Sequence, residues 1–175
     1  YFKRGIMYLV TGKVLSHFWF ATKESVENIA FQKFIYPRGK YRWIAHFLIA
    51  IGCTSAFLIT IPLTFGWIHF TLAPNTIEVY EAHFFGFKVF NFKLGSFIAF
   101  MTFHALNWSS WFVILGSLYY LRRRLTNPGL IATQTFAGDL LPLILLIAIS
   151  ATGLGLTYSY QFMKGLAFDF LAVLH

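Results

Sequence analysis

Long runs of apolar residues with almost no charge constrain this chain more than any other feature. Three such runs, at residues 43–70, 95–121 and 139–162, are each long enough to cross the roughly 30 Å hydrocarbon layer of a membrane as a helix. Only 11% of all residues are charged, against about 25% in soluble domains. The sequence therefore predicts an integral membrane protein.

We expect an all-α fold, namely a polytopic transmembrane helical bundle. It has three full spans, the start of a fourth near Gly165, and an N-terminal amphipathic helix that lies at the membrane surface. Residues 1–42 form a cytoplasmic amphipathic segment and residues 43–175 the bundle. Asp139 is the expected N-cap of the third span. The chain starts without Met and stops inside the predicted last helix, so we expect it to be truncated at both ends.

The basic residues predict the orientation of the bundle. Residues 1–42 hold eight of the fourteen lysines and arginines, and residues 122–124 hold three more. Only three lie in the two connections on the other side. The positive-inside rule then places residues 1–42 and 122–138 in the cytoplasm of a bacterial or archaeal cell, with the chain crossing the cytoplasmic membrane several times. This distribution explains the net charge of +8 without a nucleic-acid partner.

Three histidines lie inside apolar segments and are the candidate functional residues. A polar ring in lipid is costly and indicates function, and histidine is a common axial ligand of haem iron. From the helical rise, His104 lies about 13 Å and His175 about 15 Å from the outer face, so these two are nearly level. They are the predicted ligands of an outer haem b. The single cysteine, Cys53, cannot hold an iron–sulfur cluster alone.

His46 lies about 5 Å from the cytoplasmic end of its span and is too far from the other two to share a haem with them. Its partner is expected beyond residue 175, in a second haem. Arg42, one turn earlier, could pair with a haem propionate. His69 is the rival of His104 for the outer haem. Each histidine could instead form a hydrogen bond between helices without any metal.

Two segments suggest a family. RWIAHFLIAIG opens one span and DLLPLILLIAISATGL forms another, followed by a histidine in the last helix. This order resembles the gamma subunit of respiratory nitrate reductase and the membrane cytochrome b subunits attached to heterodisulfide-reductase-like iron–sulfur proteins. Carried over, His46 matches the inner ligand on the family's second helix and His175 the outer ligand on its fifth. The family's second histidine on the first of these helices has no counterpart in residues 52–57.

The resemblance implies a membrane cytochrome b subunit with one or two b haems. It would carry electrons between the quinone pool and a cytoplasmic iron–sulfur or catalytic subunit of the same complex. As an enzyme, the chain would be the electron-transfer part of quinol oxidation or quinone reduction. The alternative is a non-redox membrane transporter or a structural membrane anchor. Ionisable candidates for the quinone site are Glu81, Lys93, Lys164 and Asp169.

Overall fold

The computed structural model describes residues 14–74, 76–162 and 171–173. Contacts divide the chain into two units, an N-terminal unit of residues 1–47 and a membrane unit of residues 48–175. The described part is mostly helical. Two helices are long and apolar enough to cross a membrane, and a bent helix pair raises the number to three if it counts as one span. The predicted fourth span falls largely outside the described residues.

The N-terminal unit consists of short helical pieces that lead into the first long helix. Helix α1 covers Val14–Ser25 and continues through one π-helical turn, and a 3₁₀ helix covers Lys33–Arg38. Phe18, Trp19 and Phe20 are all exposed, as suits a helix that lies against lipid. Gly39 ends the 3₁₀ helix with a φ of 129°, a conformation open to glycine.

The first predicted span is shorter than expected. Helix α2 covers Lys40–Thr64, and the following residues, predicted to continue it to Phe70, instead turn into a strand. Residues 68–93 form a three-stranded antiparallel sheet in the order β1 (Ile68–Leu72), β2 (Val79–Phe84) and β3 (Phe87–Lys93). The all-α prediction is therefore wrong in this connection, where the sequence alternates between polar and apolar residues with the period of a strand.

The second predicted span is broken. It forms α3 (Phe97–Phe103) and α4 (Ala105–Thr126), whose axes differ by 59°. At this angle α3 adds only about 5 Å along the axis of α4, so His104 lies at the end of α4 rather than deep within a straight helix. Helix α4 also continues through the arginines at 122–124 to Thr126, beyond the predicted end of the span at residue 121.

The third predicted span is present and begins slightly earlier than expected. After the short helix α5 (Pro128–Ile131), a π-helical turn at Phe136–Leu140 leads into α6 (Leu141–Phe162). Thr135, not Asp139, is the N-cap, because its hydroxyl accepts a hydrogen bond from the Gly138 N–H. Asp139 instead accepts a hydrogen bond from the backbone N–H of Thr135, which supplies the other half of a capping box.

Helices α4 and α6 pack side by side in opposite directions. Their buried positions are small or polar, including Ser109, Val113, Ser117 and Ser159, while large apolar side chains face outward. Such an arrangement is typical of helices surrounded by lipid. We call the polar contacts that join these two helices the three interhelical pairs: Arg124 with Asp139 at 2.8 Å, Asn107 with Thr157 at 3.0 Å, and His104 with Gln161 at 3.1 Å.

Candidate functional site

His104 occupies the corner between α3 and α4. Its backbone, at φ −104° and ψ 13°, departs from the helical conformation and makes the break. The carbonyl of Phe100 accepts two hydrogen bonds from this residue, one from the backbone N–H at 3.1 Å and one from ring Nδ1 at 3.0 Å. The ring is thus fixed against the last turn of α3.

These contacts determine the tautomer of His104. A carbonyl oxygen can only accept, so Nδ1 carries a proton, and the amide nitrogen of Gln161 can only donate, so Nε2 is the acceptor in that second contact. The side-chain amide of Gln161 donates to that Nε2 at 3.1 Å. Metal-binding histidines are commonly held in the same way, with one ring N–H on a backbone carbonyl and the other nitrogen free to coordinate. His104 therefore offers a basic nitrogen in a fixed direction.

The Nε2 side of His104 faces a cleft of about 310 Å³ between α4 and the end of α6. We call it the His104 cleft. Trp108 and Trp111, which share a helix face with His104 in the sequence, both line it. The walls are mostly aromatic or aliphatic, and the remaining lining residues are Phe100, Asn107, Leu154, Thr157, Tyr158, Gln161 and Phe162. Such a cleft suits a flat apolar molecule with an atom that binds nitrogen.

The sheet holds the corner in place. Phe103, the residue before His104, contacts the rings of Phe70, Tyr80 and Phe92 at centroid distances of 5.4 to 5.8 Å. These rings belong to one face of the sheet, where Ala82 and Phe92 are buried with Ala99 of α3. Edge-on and tilted aromatic pairs of this kind each stabilise by about 0.5–1.5 kcal/mol beyond the burial of their area. The sheet therefore determines where α3 ends and α4 begins.

His46, in the N-terminal unit, has a similarly fixed ring. Its Nδ1 lies 2.6 Å from the side-chain oxygen of Gln32, a buried residue with a left-handed backbone at φ 51°. One turn earlier on α2, the indole N–H of Trp43 donates to the Phe31 carbonyl at 2.7 Å. The two contacts tie residues 31 and 32 to α2. Because the amide oxygen accepts, Nδ1 of His46 carries a proton.

The sequence predicts that His69 lies at the outer end of the first membrane helix. In the structure, that helix ends at Thr64, before His69. His69 lies on β1 and stacks on His83 of β2, with ring centroids 4.9 Å apart and planes within 2°. The Thr71 hydroxyl lies 2.9 Å from Nε2 of His83, and Glu81 pairs with Lys88. This is the polar face of the sheet, opposite the aromatic face that packs on Phe103, and His69 does not line the His104 cleft.

The remaining predicted site residues are spread over the molecule. Glu81 and Lys93 do not line the His104 cleft, and Lys93 borders a separate surface depression with Glu78. Arg42 lies on α2 one turn before His46. His175, Lys164 and Asp169 lie outside the described residues. Within residues 14–74, 76–162 and 171–173, no group of three or more His, Cys, Asp or Glu side chains could hold a metal ion.

Gln161 is the site residue that sequence reasoning missed. A glutamine near the end of an apolar run carries no recognisable signal, and only the antiparallel packing of α4 and α6 brings it to His104. Comparison with protein-family models, curated proteins and solved structures finds no match for this chain.

Proposed function

We propose that this chain is the membrane cytochrome b subunit of a quinone-linked oxidoreductase, with His104 as an axial ligand of haem. The observation that carries the proposal is the state of the His104 ring. Its Nδ1–H is bound to the Phe100 carbonyl, and its Nε2 accepts a hydrogen bond from Gln161 at the edge of a cleft with aromatic walls. A polar ring in a membrane span indicates function by default, and the position of His104 beside an aromatic cleft supports a bound ligand in addition to the interhelical hydrogen bond with Gln161.

The residues of the His104 cleft fit a haem. Trp108, Trp111 and Tyr158 provide flat apolar surface, and the carbonyl of Phe100 strengthens the basicity of the ligand nitrogen. Gln161 would have to release Nε2 when iron binds, which needs only a rotation of its side chain. Haem iron carries one electron at a time by changing between its ferric and ferrous states. The protein's part would be to hold the ring and to set the polarity of the cleft.

The second axial ligand remains a proposal that rests on His175. This residue is outside the described part of the chain, but Leu171, four residues earlier, lies beside α6. A Cβ built on Gly155 would be 3.6 Å from Leu171 Cδ1. Gly155 directly follows Leu154, which lines the His104 cleft. Leu171 thus packs beside α6 at Gly155, six residues from Gln161, and the pairing of His175 with His104 stays a prediction.

The other elements of the proposal follow the orientation predicted from charge. The Arg124–Asp139 end of the helix pair would face the cytoplasm, and the His104 end would face outward, where quinone exchanges with the membrane. An iron–sulfur subunit would dock on the cytoplasmic side, on residues 1–42 and 122–138. A second haem would use His46, with its Nδ1 held by Gln32 and Arg42 near a propionate. The quinone-site residues stay predictions, since Glu81 and Lys93 lie away from the cleft.

An absorption spectrum of the purified protein tests this proposal. We expect a reduced b-type alpha band, and we expect His104→Ala to lose the haem bound at the cleft. Gln161→Ala is the matched control, because it removes the other partner in the same contact without removing the ligand. His69→Ala should also keep the haem. Circular dichroism and gel filtration of each variant establish that it remains folded.

Two results would overturn the assignment. A colourless wild-type preparation from cells grown with ample iron would favour a non-redox membrane protein. Loss of haem in His69→Ala, with His104→Ala unaffected, would instead place the ligand on the sheet.

A further inference from the structure

A second cavity lies between three helices in the middle of the membrane unit. It measures about 480 Å³ and is bordered by α2, α4 and α6. We call it the central cavity. Six of its fourteen lining residues carry a hydroxyl or an amide, and none is charged: Thr60, Asn107, Ser109, Ser110, Ser150 and Thr157. Small polar residues are common at close helix contacts in membranes, but here they surround an open space.

Several polar groups that line the central cavity can still form hydrogen bonds with a bound molecule. Ser109 and Ser110 each donate their hydroxyl proton to a carbonyl one turn earlier on α4, both at 3.0 Å, so their oxygen lone pairs remain as acceptors. The Thr157 hydroxyl lies 3.0 Å from Oδ1 of Asn107 and donates to it. Asn107 also carries an amide nitrogen with two N–H donors. The lining thus offers both donors and acceptors.

We infer that the central cavity holds a cluster of water molecules within the membrane-spanning bundle. At about 30 Å³ for each water, the volume admits on the order of ten molecules, and the polar lining groups would bind those at the wall. A lipid chain would leave the second acceptor sites of the serine hydroxyls and the amide N–H groups of Asn107 without partners, and an ion would find no opposite charge. Asn107 and Thr157 line both this cavity and the His104 cleft, so the water cluster reaches the edge of that cleft.

Cys53 provides a built-in probe, since it lines the central cavity and is the only cysteine in the chain. Methanethiosulfonate reagents react with the thiolate, which forms in water and not in hydrocarbon. The experiment exposes the full chain in lipid nanodiscs to aminoethyl methanethiosulfonate and follows the mass increase over time. We expect Cys53 to be modified in the folded protein.

Cavity-filling variants determine the route of the reagent. Ser150→Leu and Thr60→Leu each place bulk in the cavity from a different helix, and each should slow the modification at least about tenfold. Ala148→Leu adds similar bulk at an exposed position of α6 that does not line the cavity, and it should leave the rate unchanged. The use of two filling variants keeps the test decisive if one of them fails to fold.

Three outcomes would overturn the inference. Cys53 that is unmodified in nanodiscs, yet fully modified after unfolding in detergent, would mean a dry cavity. Modification by an apolar maleimide but not by the charged reagent would mean that a lipid chain fills it. Equal rates in wild type and both filling variants would mean that the reagent reaches Cys53 by another path. The inference does not depend on haem, and His104→Ala protein should be labelled like wild type even if it is colourless.

Discussion

Gly52 is the position where α2 approaches α4 most closely, and replacing it with alanine tests the packing of the membrane unit. A Cβ built there would lie 2.7 Å from Val113 Cγ2 and 2.8 Å from the carbonyl oxygen of Ser109. Real Cβ atoms essentially never come so close to another atom. The valine methyl can rotate away, whereas the Ser109 oxygen belongs to the backbone of α4 and cannot.

The magnitude follows from two opposing effects. Alanine is favoured over glycine inside a helix by about 0.5–1 kcal/mol. Against this, ordinary contact begins at 3.4 Å, so α2 must move away from Ser109 by about 0.6 Å. A gap of this size forfeits a quarter to a half of the dispersion energy of each contact it opens, and overpacking costs about 1–3 kcal/mol. We expect Gly52→Ala to destabilise the protein by about 1–2 kcal/mol.

Thermal unfolding in one fixed detergent, followed by intrinsic tryptophan fluorescence, measures the effect. A destabilisation of this size lowers Tm by about 3–6 °C in a chain of this length. Gly155→Ala is the matched control on α6. Its added methyl would meet Leu171 carbons at 3.6 and 3.7 Å, which is ordinary contact, so Tm should stay the same or rise. If Gly52→Ala is as stable as wild type while Gly155→Ala behaves as expected, the described approach of α2 to α4 is wrong.

Three further predictions concern other contacts. Asn107→Leu and Thr157→Val should each destabilise the protein. A double-mutant cycle should give a coupling energy near 0.6 kcal/mol, which is the average for such hydrogen bonds in membranes. Additive effects of the two variants would mean that the hydrogen bond contributes nothing to stability. Phe103→Ala should lower the free energy of unfolding by about 1–3 kcal/mol. This is less than for a fully buried phenylalanine, because Phe103 is 45% exposed. Proteolysis of the sheet should become faster, and an unchanged rate would mean that the sheet does not pack on Phe103. Lys33 lowers the pKa of the Glu27 carboxyl through a hydrogen bond and through its charge. The ion pair therefore stabilises the folded state at pH values above the unfolded-state pKa of Glu27. This stabilisation is lost as the pH falls through the lowered pKa. Because the pair is exposed, Glu27→Gln should barely change Tm at neutral pH, and a large drop would contradict that assessment.

The two uninterrupted spans could be predicted because hydropathy acts over many residues. Lys40–Thr64 and Phe136–Phe162 contain few polar groups, and no local contact has to be known to place them in a membrane. The sheet was also visible in principle, since IHFTL and FKVFNFK alternate polar and apolar residues.

The break at His104 could not be predicted from local signals. Neither proline nor glycine lies near it between Ser96 and Gly116, and the segment carries no Asp, Glu, Lys or Arg. The bend depends on the packing of Phe103 against three rings that come from earlier parts of the chain. The sequence therefore pointed to His104 as a functional candidate but misplaced its depth, because depth arithmetic assumes a straight helix.

The three interhelical pairs have a consequence for assembly. Membrane helices enter the bilayer one at a time, and lipid solvates their apolar faces equally well at any vertical offset. Hydrophobicity alone would let α4 and α6 slide past each other. Arg124 and Asp139 lie at one end of the helix pair, and the other two pairs lie about one turn apart at the opposite end. A slip of one turn, about 5.4 Å, would break all three together. Each of the three pairs thus favours the same alignment of α4 and α6. If any one pair is lost, the other two should still hold the helices in that alignment.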